Sequence, residues 1–150
     1  MLTSLVGSEM CIRDSTNTEQ TVKLDGQAAL VTGGASGLGA ATAKALASAK
    51  VKVAILDTNI EGGKAIAKEI DGIAIECDVS NEQSGERAIE IARKNHGPAR
   101  VLINCAGIGP AERIVGKTGP MPLDNFRRVI EINLIGSFNL MRLDASDMMN

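Results

Sequence analysis

The sequence predicts an α/β domain with a doubly wound parallel sheet covered by helices on both faces, and three observations predict it. Four short runs, 27–32, 51–56, 72–76 and 100–105, are near-continuously apolar, as strands buried on both faces must be. Helix-compatible stretches separate them, which is the alternation that builds parallel pairs through crossover connections. The first run passes into a turn carrying Gly33, Gly37 and Gly39 before an alanine-rich stretch, where glycine lets the backbone turn tightly and approach a bound group. With right-handed crossovers the first three strands take the order 3-2-1, and the fourth crosses to the far side of the first, giving about four strands in the order 3-2-1-4.

Composition narrows the class. At 150 residues the chain suffices for one domain with a sizeable core. A net charge of −2 without a basic block points to neither nucleic acid nor an anionic membrane surface. No apolar run approaches the roughly 20 residues that span a bilayer, so no membrane association is expected. Cys11, Cys77 and Cys105 are too widely and irregularly spaced for a disulfide framework or a metal set, and the single His96 cannot complete one. No metal is expected, and a reducing, cytoplasmic location is. With Phe126 and Phe138 as the only aromatics, the core must be built from Ile, Val, Leu, Ala and Met.

Taken in order, 1–15 shows no periodicity connecting it to the rest. The run Glu9-Met10-Cys11-Ile12-Arg13-Asp14 resembles the translation of a transposon-type sequencing adapter, and 1–15 is expected to be non-native and to contribute nothing to the fold. The alternative is a targeting segment, disfavoured by Glu9, Asp14 and the shortness of the apolar stretch. The lead-in 16–26 is polar and ends in the turn signal Asp25-Gly26. A helix is expected over 37–48. After the second strand, Thr58 with Glu61 offers a capping box for a helix to about 70, which Gly62 and Gly63 weaken at its start. Ser80 with Gln83 offers another for a helix to about 95, ended by His96-Gly97-Pro98. The stretch 108–122 reads as a Gly- and Pro-rich loop with Glu112, Arg113 and Lys117. A long helix is then expected over about 123–143. One face holds Phe126, Val129, Ile130, Asn133, Leu134, Ser137, Phe138 and Met141, and the other sides are apolar too, which points to a partner subunit.

The candidate site gathers where the strand order reverses, between the first and fourth strands. A helix that opens after Gly33, Ser36, Gly37, Leu38 and Gly39 would aim its unpaired N–H groups at a pyrophosphate. The loop therefore reads as the phosphate turn of a dinucleotide-binding βαβ unit, a Rossmann-type arrangement, or else as a tight strand-to-helix turn and nothing more. Asp57 stands 18 residues after Gly39 at the end of the second strand, where its carboxylate can accept from a ribose and repel a 2′-phosphate. No Lys or Arg follows it closely, so NAD is expected over NADP; the alternative is a helix cap. Asp78 and Val79 can read an adenine edge or simply flank a helix. Asn104, Cys105, Ala106 and Gly107 close the fourth strand with mostly small residues, Asn104 as a tie between strand ends and Cys105 as a small buried group without a catalytic base. Asn133 is the one polar residue central to its helix face, which by itself is compatible with a satisfied core amide.

Together these motifs resemble the short-chain dehydrogenase/reductase family from about Val22 to Asn150. The quoted residues are Thr32-Gly33-Gly34-Ala35-Ser36-Gly37-Leu38-Gly39, Asp57, Asp78-Val79, Asn104-Cys105-Ala106-Gly107 and Ile132-Asn133-Leu134-Ile135-Gly136. Cys105 departs from the commoner second Asn. With the glycine loop and the lengthened segment after Gly107, it looks most like the type 2 3-hydroxyacyl-CoA dehydrogenases. The resemblance implies an NAD-dependent oxidoreductase with a Rossmann domain over 27–150, acting on a secondary alcohol or ketone, and a homo-oligomer, a homotetramer, built through helix 123–143. It implies that Asn133 supports a water leading to a catalytic Lys, and that a Ser, a Tyr and that Lys perform the proton chemistry. The chain contains no Tyr and ends at Asn150 ahead of that segment, so it is expected to be an N-terminal fragment, inactive and poorly soluble by itself. Arg113 and Lys117 would suit the anionic end of an acyl-CoA substrate, and a solvated loop is the alternative. Competing functions are a 3-oxoacyl-carrier-protein reductase or another alcohol dehydrogenase of the family and, from a different class, a non-catalytic NAD-binding module. Cytoplasm is the expected compartment, with a mitochondrion-like one left open.

Overall fold

The computed structural model describes residues 23–117 and 119–149. The expectations for 1–15, and those for 16–22 of the lead-in, lie outside the described residues. Four strands, β1 (Ala28–Thr32), β2 (Lys52–Asp57), β3 (Ile73–Glu76) and β4 (Ala99–Asn104), form one parallel sheet in the order β3-β2-β1-β4. This is the doubly wound arrangement read from the sequence.

Alternation along the strands sorts the core into two layers. Ala29, Val31, Val53 and Ile55 face α1 (Gly37–Ser48) and α2 (Ile60–Ile70), where Ala43 and Ala67 complete the packing. Ala28, Leu30, Ala54 and Leu56 face the other way, toward α3 (Glu82–His96), with Ala88, Ile89 and Ala92 beneath them. Every residue of β1 is buried, which is why its sequence is apolar up to Thr32 rather than alternating. Phe126 and Phe138 are both exposed, so the described core contains no aromatic ring.

Two helix starts differ by one residue from the capping boxes expected of Thr58 and Ser80. Asn59 caps α2 by accepting from the Gly62 N–H at 3.0 Å, and Asn81 caps α3 by accepting from Ser84 N–H at 2.9 Å. The shift follows from the preceding aspartates. Asp57 accepts from Asn59 N–H and Asp78 from Ser80 N–H, each closing a side-chain turn that places the cap one position later. Gly63, which weakens the helix by propensity, is there because α2 packs close: a Cβ on it would meet the Ala74 Cβ at 3.3 Å.

The loop 108–122 contains a two-stranded antiparallel ribbon, β5 (Val115–Gly116) with β6 (Gly119–Pro120). The long helix after it is interrupted. α4 (Leu123–Ile130) widens into a π turn over Glu131–Gly136 before α5 (Ser137–Met148) resumes. The face expected to be buried is also corrected: Phe126, Leu134, Phe138 and Met141 are exposed, while Gly136, Asn139, Leu140, Asp144 and Asp147 are buried. Glycine decides this. A Cβ on Gly136 would strike the Val79 side chain, and one on Gly85 of α3 would come within 3.1 Å of Asn139 and Leu143, so those two small residues let α5 sit tightly on α3 and the end of β3. No described helix is long and apolar enough to cross a membrane.

Candidate functional site

An open cleft of about 740 Å³ lies at the carboxyl ends of the strands. It falls where β1 hands over to α1 on one side and β4 leaves the sheet on the other, the topological switch point at which open α/β sheets bind ligands. Its volume is within the range of small-molecule and cofactor sites. The structure brings Gly33, Ser36, Gly37, Leu38, Gly39, Asp57, Asp78, Val79, Cys105, Ala106 and Gly107 together along its wall. Asn104 and Asn133 stand outside that wall.

The glycines serve three different needs. Gly33 has φ +64°, and a Cβ on it would lie 2.7 Å from the Ala106 nitrogen, so it allows the β1 turn to lie directly against the segment leaving β4. Gly39 permits the first turn of α1 to rest on the Gly33 carbonyl. Gly37, at φ +53°, has nothing within 4 Å of where a Cβ would be: it faces open space at the cleft, where a side chain would fill room a ligand needs. Ser36 makes no side-chain cap bond, and the first turn of α1 holds no acidic residue, so the positive end of the helix dipole is left uncompensated beside the cleft. These residues fit a diphosphate group.

Thr32 fixes the two strand ends against one another. Fully buried, its Oγ1 accepts from the N–H groups of Cys105 and Ala106, each at 3.1 Å, and stands 3.4 Å from the Asn104 Oδ1. Asn104 thereby stands as the tie between strand ends expected of it. Thr32 belongs to the quoted motif, but its part as a clamp was not read from the sequence; its signal is a hydroxyl at the end of an otherwise apolar strand.

Asp57 is placed by two backbone donors. Its Oδ2 accepts from Ala35 N–H at 3.0 Å and its Oδ1 from Asn59 N–H at 2.9 Å, so a single carboxylate braces the glycine turn and shapes the start of α2. Asp57 is not itself the cap of α2, a place that Asn59 holds, and it lines the cleft. Asp78 accepts from both the N–H and the hydroxyl of Ser80, and Val79 is buried at the cleft floor. Cys77, also on the wall, has its thiol pushed up to about 11 by burial, which outweighs the lowering hydrogen bond with Ser84 and is joined by a smaller push from Asp78. Burial of this kind disfavours the thiolate that a nucleophile requires.

Asn133 sits in the π turn and reads the backbone of Ile108: Oδ1 accepts from its N–H at 2.9 Å and Nδ2 donates to its carbonyl at 2.8 Å. The amide is satisfied at both ends, and it ties the helix to the segment that follows β4. π turns recur at functional sites because they turn a side chain out of the helical repeat. The same helix adds Arg128, Glu131 and Ile132 to the cleft wall, none of which the sequence reading singled out as site residues. Arg113 and Lys117 are exposed on the ribbon segment and do not line the cleft. Among the described residues no cluster of three His, Cys, Asp or Glu could hold a metal ion.

Comparison with known proteins agrees with this geometry. The family model described as short chain dehydrogenase matches residues 27–150. A 3-hydroxyacyl-CoA dehydrogenase type-2 of Homo sapiens is 38% identical over 127 residues, covering 82% of this chain and 49% of that protein. A mitochondrial borneol dehydrogenase of Lavandula x intermedia is 34% identical over 116 residues, covering 77% of this chain and 44% of that protein. Among solved structures, a hydroxysteroid dehydrogenase from Escherichia coli superposes with a TM-score of 0.76 at 30% identity, covering 84% of this chain and 54% of that one. The chain spans about half the length of the curated relatives it matches.

Proposed function

The chain belongs to the short chain dehydrogenase family, and from that premise we propose that its cleft binds NAD as part of an oxidoreductase that interconverts a secondary alcohol and a ketone. The observation that carries this reading is Asp57, anchored by two backbone N–H groups at the cleft edge with no Lys or Arg beside it in the sequence. A carboxylate held there accepts from ribose hydroxyls and repels a 2′-phosphate. Gly37, Leu38 and Gly39 lie against the diphosphate at the N-terminus of α1, and Val79 with Ile132 gives the adenine an apolar seat. Bound NAD supplies the hydride acceptor. The part of the chain's own residues is to hold and orient it: Thr32 keeps the β1 and β4 ends together, and Asn133 fixes the start of the loop that would border the reacting carbon.

Titration with NADH and NADPH, followed by the fluorescence of the reduced cofactor, tests this. The chain should bind NADH more tightly, and Asp57→Asn should narrow the NADH-to-NADPH ratio by roughly tenfold or more, since a hydrogen bond to a charged group contributes about 1.5–3 kcal/mol. A wild-type preference for NADPH would refute the assignment.

The finer reading of the substrate is a 3-hydroxyacyl-CoA. Its support is the likeness to the human 3-hydroxyacyl-CoA dehydrogenase type-2, together with the cationic Arg113 and Lys117 on the segment that leaves β4. In the enzyme at the full length of its relatives, replacing both by Ala should raise KM for the CoA thioester several-fold and leave that of a simple secondary alcohol unchanged. Equal effects on both would favour a simple alcohol substrate, the reading to which the likeness to borneol dehydrogenase lends support. The exposed row of Phe126, Leu134, Phe138 and Met141 supports a homo-oligomer that covers it with a second copy.

A further inference from the structure

We propose that Arg128 recruits and holds the diphosphate of the dinucleotide, a role that rests on the cofactor reading above. The charge of the cleft motivates it. Among the described residues on its wall, Asp57, Asp78 and Glu131 are acids and Arg128 is the single base. An acidic cleft repels the anion it is meant to admit, and field lines confined between protein walls make that repulsion stronger than on an open surface. The N-terminus of α1 offsets it with about half an elementary charge, less than the excess of acid over base.

Arg128 is the group available to do the rest. Its neighbour Arg127 is paired with Asp124 at 2.9 Å, and Arg142 is shared between Glu82 and Asn139. The Arg128 guanidinium has no hydrogen bond or ion pair among the described residues, although Glu131 lies three residues further along the same helix. Its position is nevertheless fixed, because the π turn just after it is tied to both sides of the cleft. Asn133 bonds the Ile108 backbone on one side, and Gly136 lies against Val79 on the other. An unpaired guanidinium on a fixed helix, exposed at the rim of an otherwise acidic cleft, presents the planar fork that phosphate oxygens accept from in pairs.

The test compares ADP with adenosine, which differ by the diphosphate alone, in calorimetric titrations of the chain at low and high salt. The wild type should bind ADP more tightly, with an advantage that shrinks as salt rises. Arg128→Gln should weaken ADP by about tenfold at low salt and leave adenosine within about twofold, and Arg128→Lys should recover much of the loss because the charge remains. An ADP-to-adenosine ratio unchanged by Arg128→Gln would overturn the proposal while leaving the cofactor site standing. Equal loss of both ligands would place Arg128 at the adenosine end and also overturn it. If the wild type binds neither ligand, the cofactor reading itself fails, and the role of Arg128 with it.

Discussion

Replacing Gly33 by alanine is expected to destabilise the fold by about 3 kcal/mol or more and to abolish ligand binding in the cleft, because two costs coincide there. The residue holds φ +64°, a left-handed conformation that a side chain disfavours. The new Cβ would also fall 2.7 Å from the Ala106 nitrogen and 2.8 Å from both the Ala106 Cα and the Cys105 carbonyl carbon, all backbone atoms that cannot swing aside. Relief requires parting β1 from the segment after β4, which stretches the bonds that Thr32 accepts from Cys105 and Ala106. Gly37→Ala is the control: its φ is +53° but nothing lies within 4 Å, so it should cost about 1 kcal/mol in stability. Urea unfolding of both variants distinguishes them, and equal destabilisation would show that close approach is not what Gly33 provides.

A second large effect is expected at Asp144, where substitution should stabilise. This residue is 1% exposed, and neither carboxylate oxygen has a hydrogen-bond partner among the described residues. It faces Ala28, Leu30, Ile89, Ala92 and Ala99, with His96 and the Arg93–Asp147 ion pair at the margin. Burial first, and the neighbouring Asp147 second, push its carboxyl up from 3.8 to about 6. The folded chain therefore retains a proton on Asp144 that the unfolded chain releases between those two values. Its contribution to stability is fully present below 3.8 and is lost as pH rises through about 6, leaving a penalty of about 3 kcal/mol at pH 7.5. His96 works in the opposite sense. Burial first and Lys52 second lower its pKa, so its contribution is fully present above 6.5 and is lost as pH falls through the lower folded value. The difference in unfolding free energy between Asp144→Val and wild type, measured from pH 4 to pH 7.5, cancels the histidine and should grow with pH. A difference that stays flat would show that Asp144 is ionised, and compensated, in the fold.

The sheet was legible because strands buried on both faces leave uninterrupted apolar runs, and the switch point was legible because Gly33, Gly37 and Gly39 follow the first of them. The cap positions were not, since Thr58 and Asn59, like Ser80 and Asn81, are adjacent residues of nearly equal capping ability. The choice between them is made by Asp57 and Asp78, which bond two residues ahead. Nor was the orientation of the last helix. A constant helical repeat carried Phe138 and Met141 to the inside, whereas the wide turn at Glu131–Gly136 resets the repeat midway. Asn139, Asp144 and Asp147 read as surface residues by type, and only the close crossing with α3 at Gly85 shows why α5 buries them. Arg128 carries no sequence signal that separates it from Arg127; the cleft selects one and the helix surface the other.

The wide turn also sets what a change in length and a change in helix geometry would each do to the elements beyond it. Leu134 and Ile135 are 64% and 48% exposed, and little in the described packing depends on their side chains. What the wide turn fixes is the match between chain length and helix geometry. Omitting one residue while the turn tightens into an ordinary α-helix leaves everything beyond it facing the same way, whereas tightening it at unchanged length turns everything beyond it by about 100°. Gly136 would leave Val79, the Asn139 amide would leave the carbonyls of Val79 and Asn81, and Leu140 would swing out from under the sheet. The stretch can therefore absorb the loss of one residue by closing the turn, while a change that closed the turn at full length would displace α5, a distinction that the identities of the residues do not reveal.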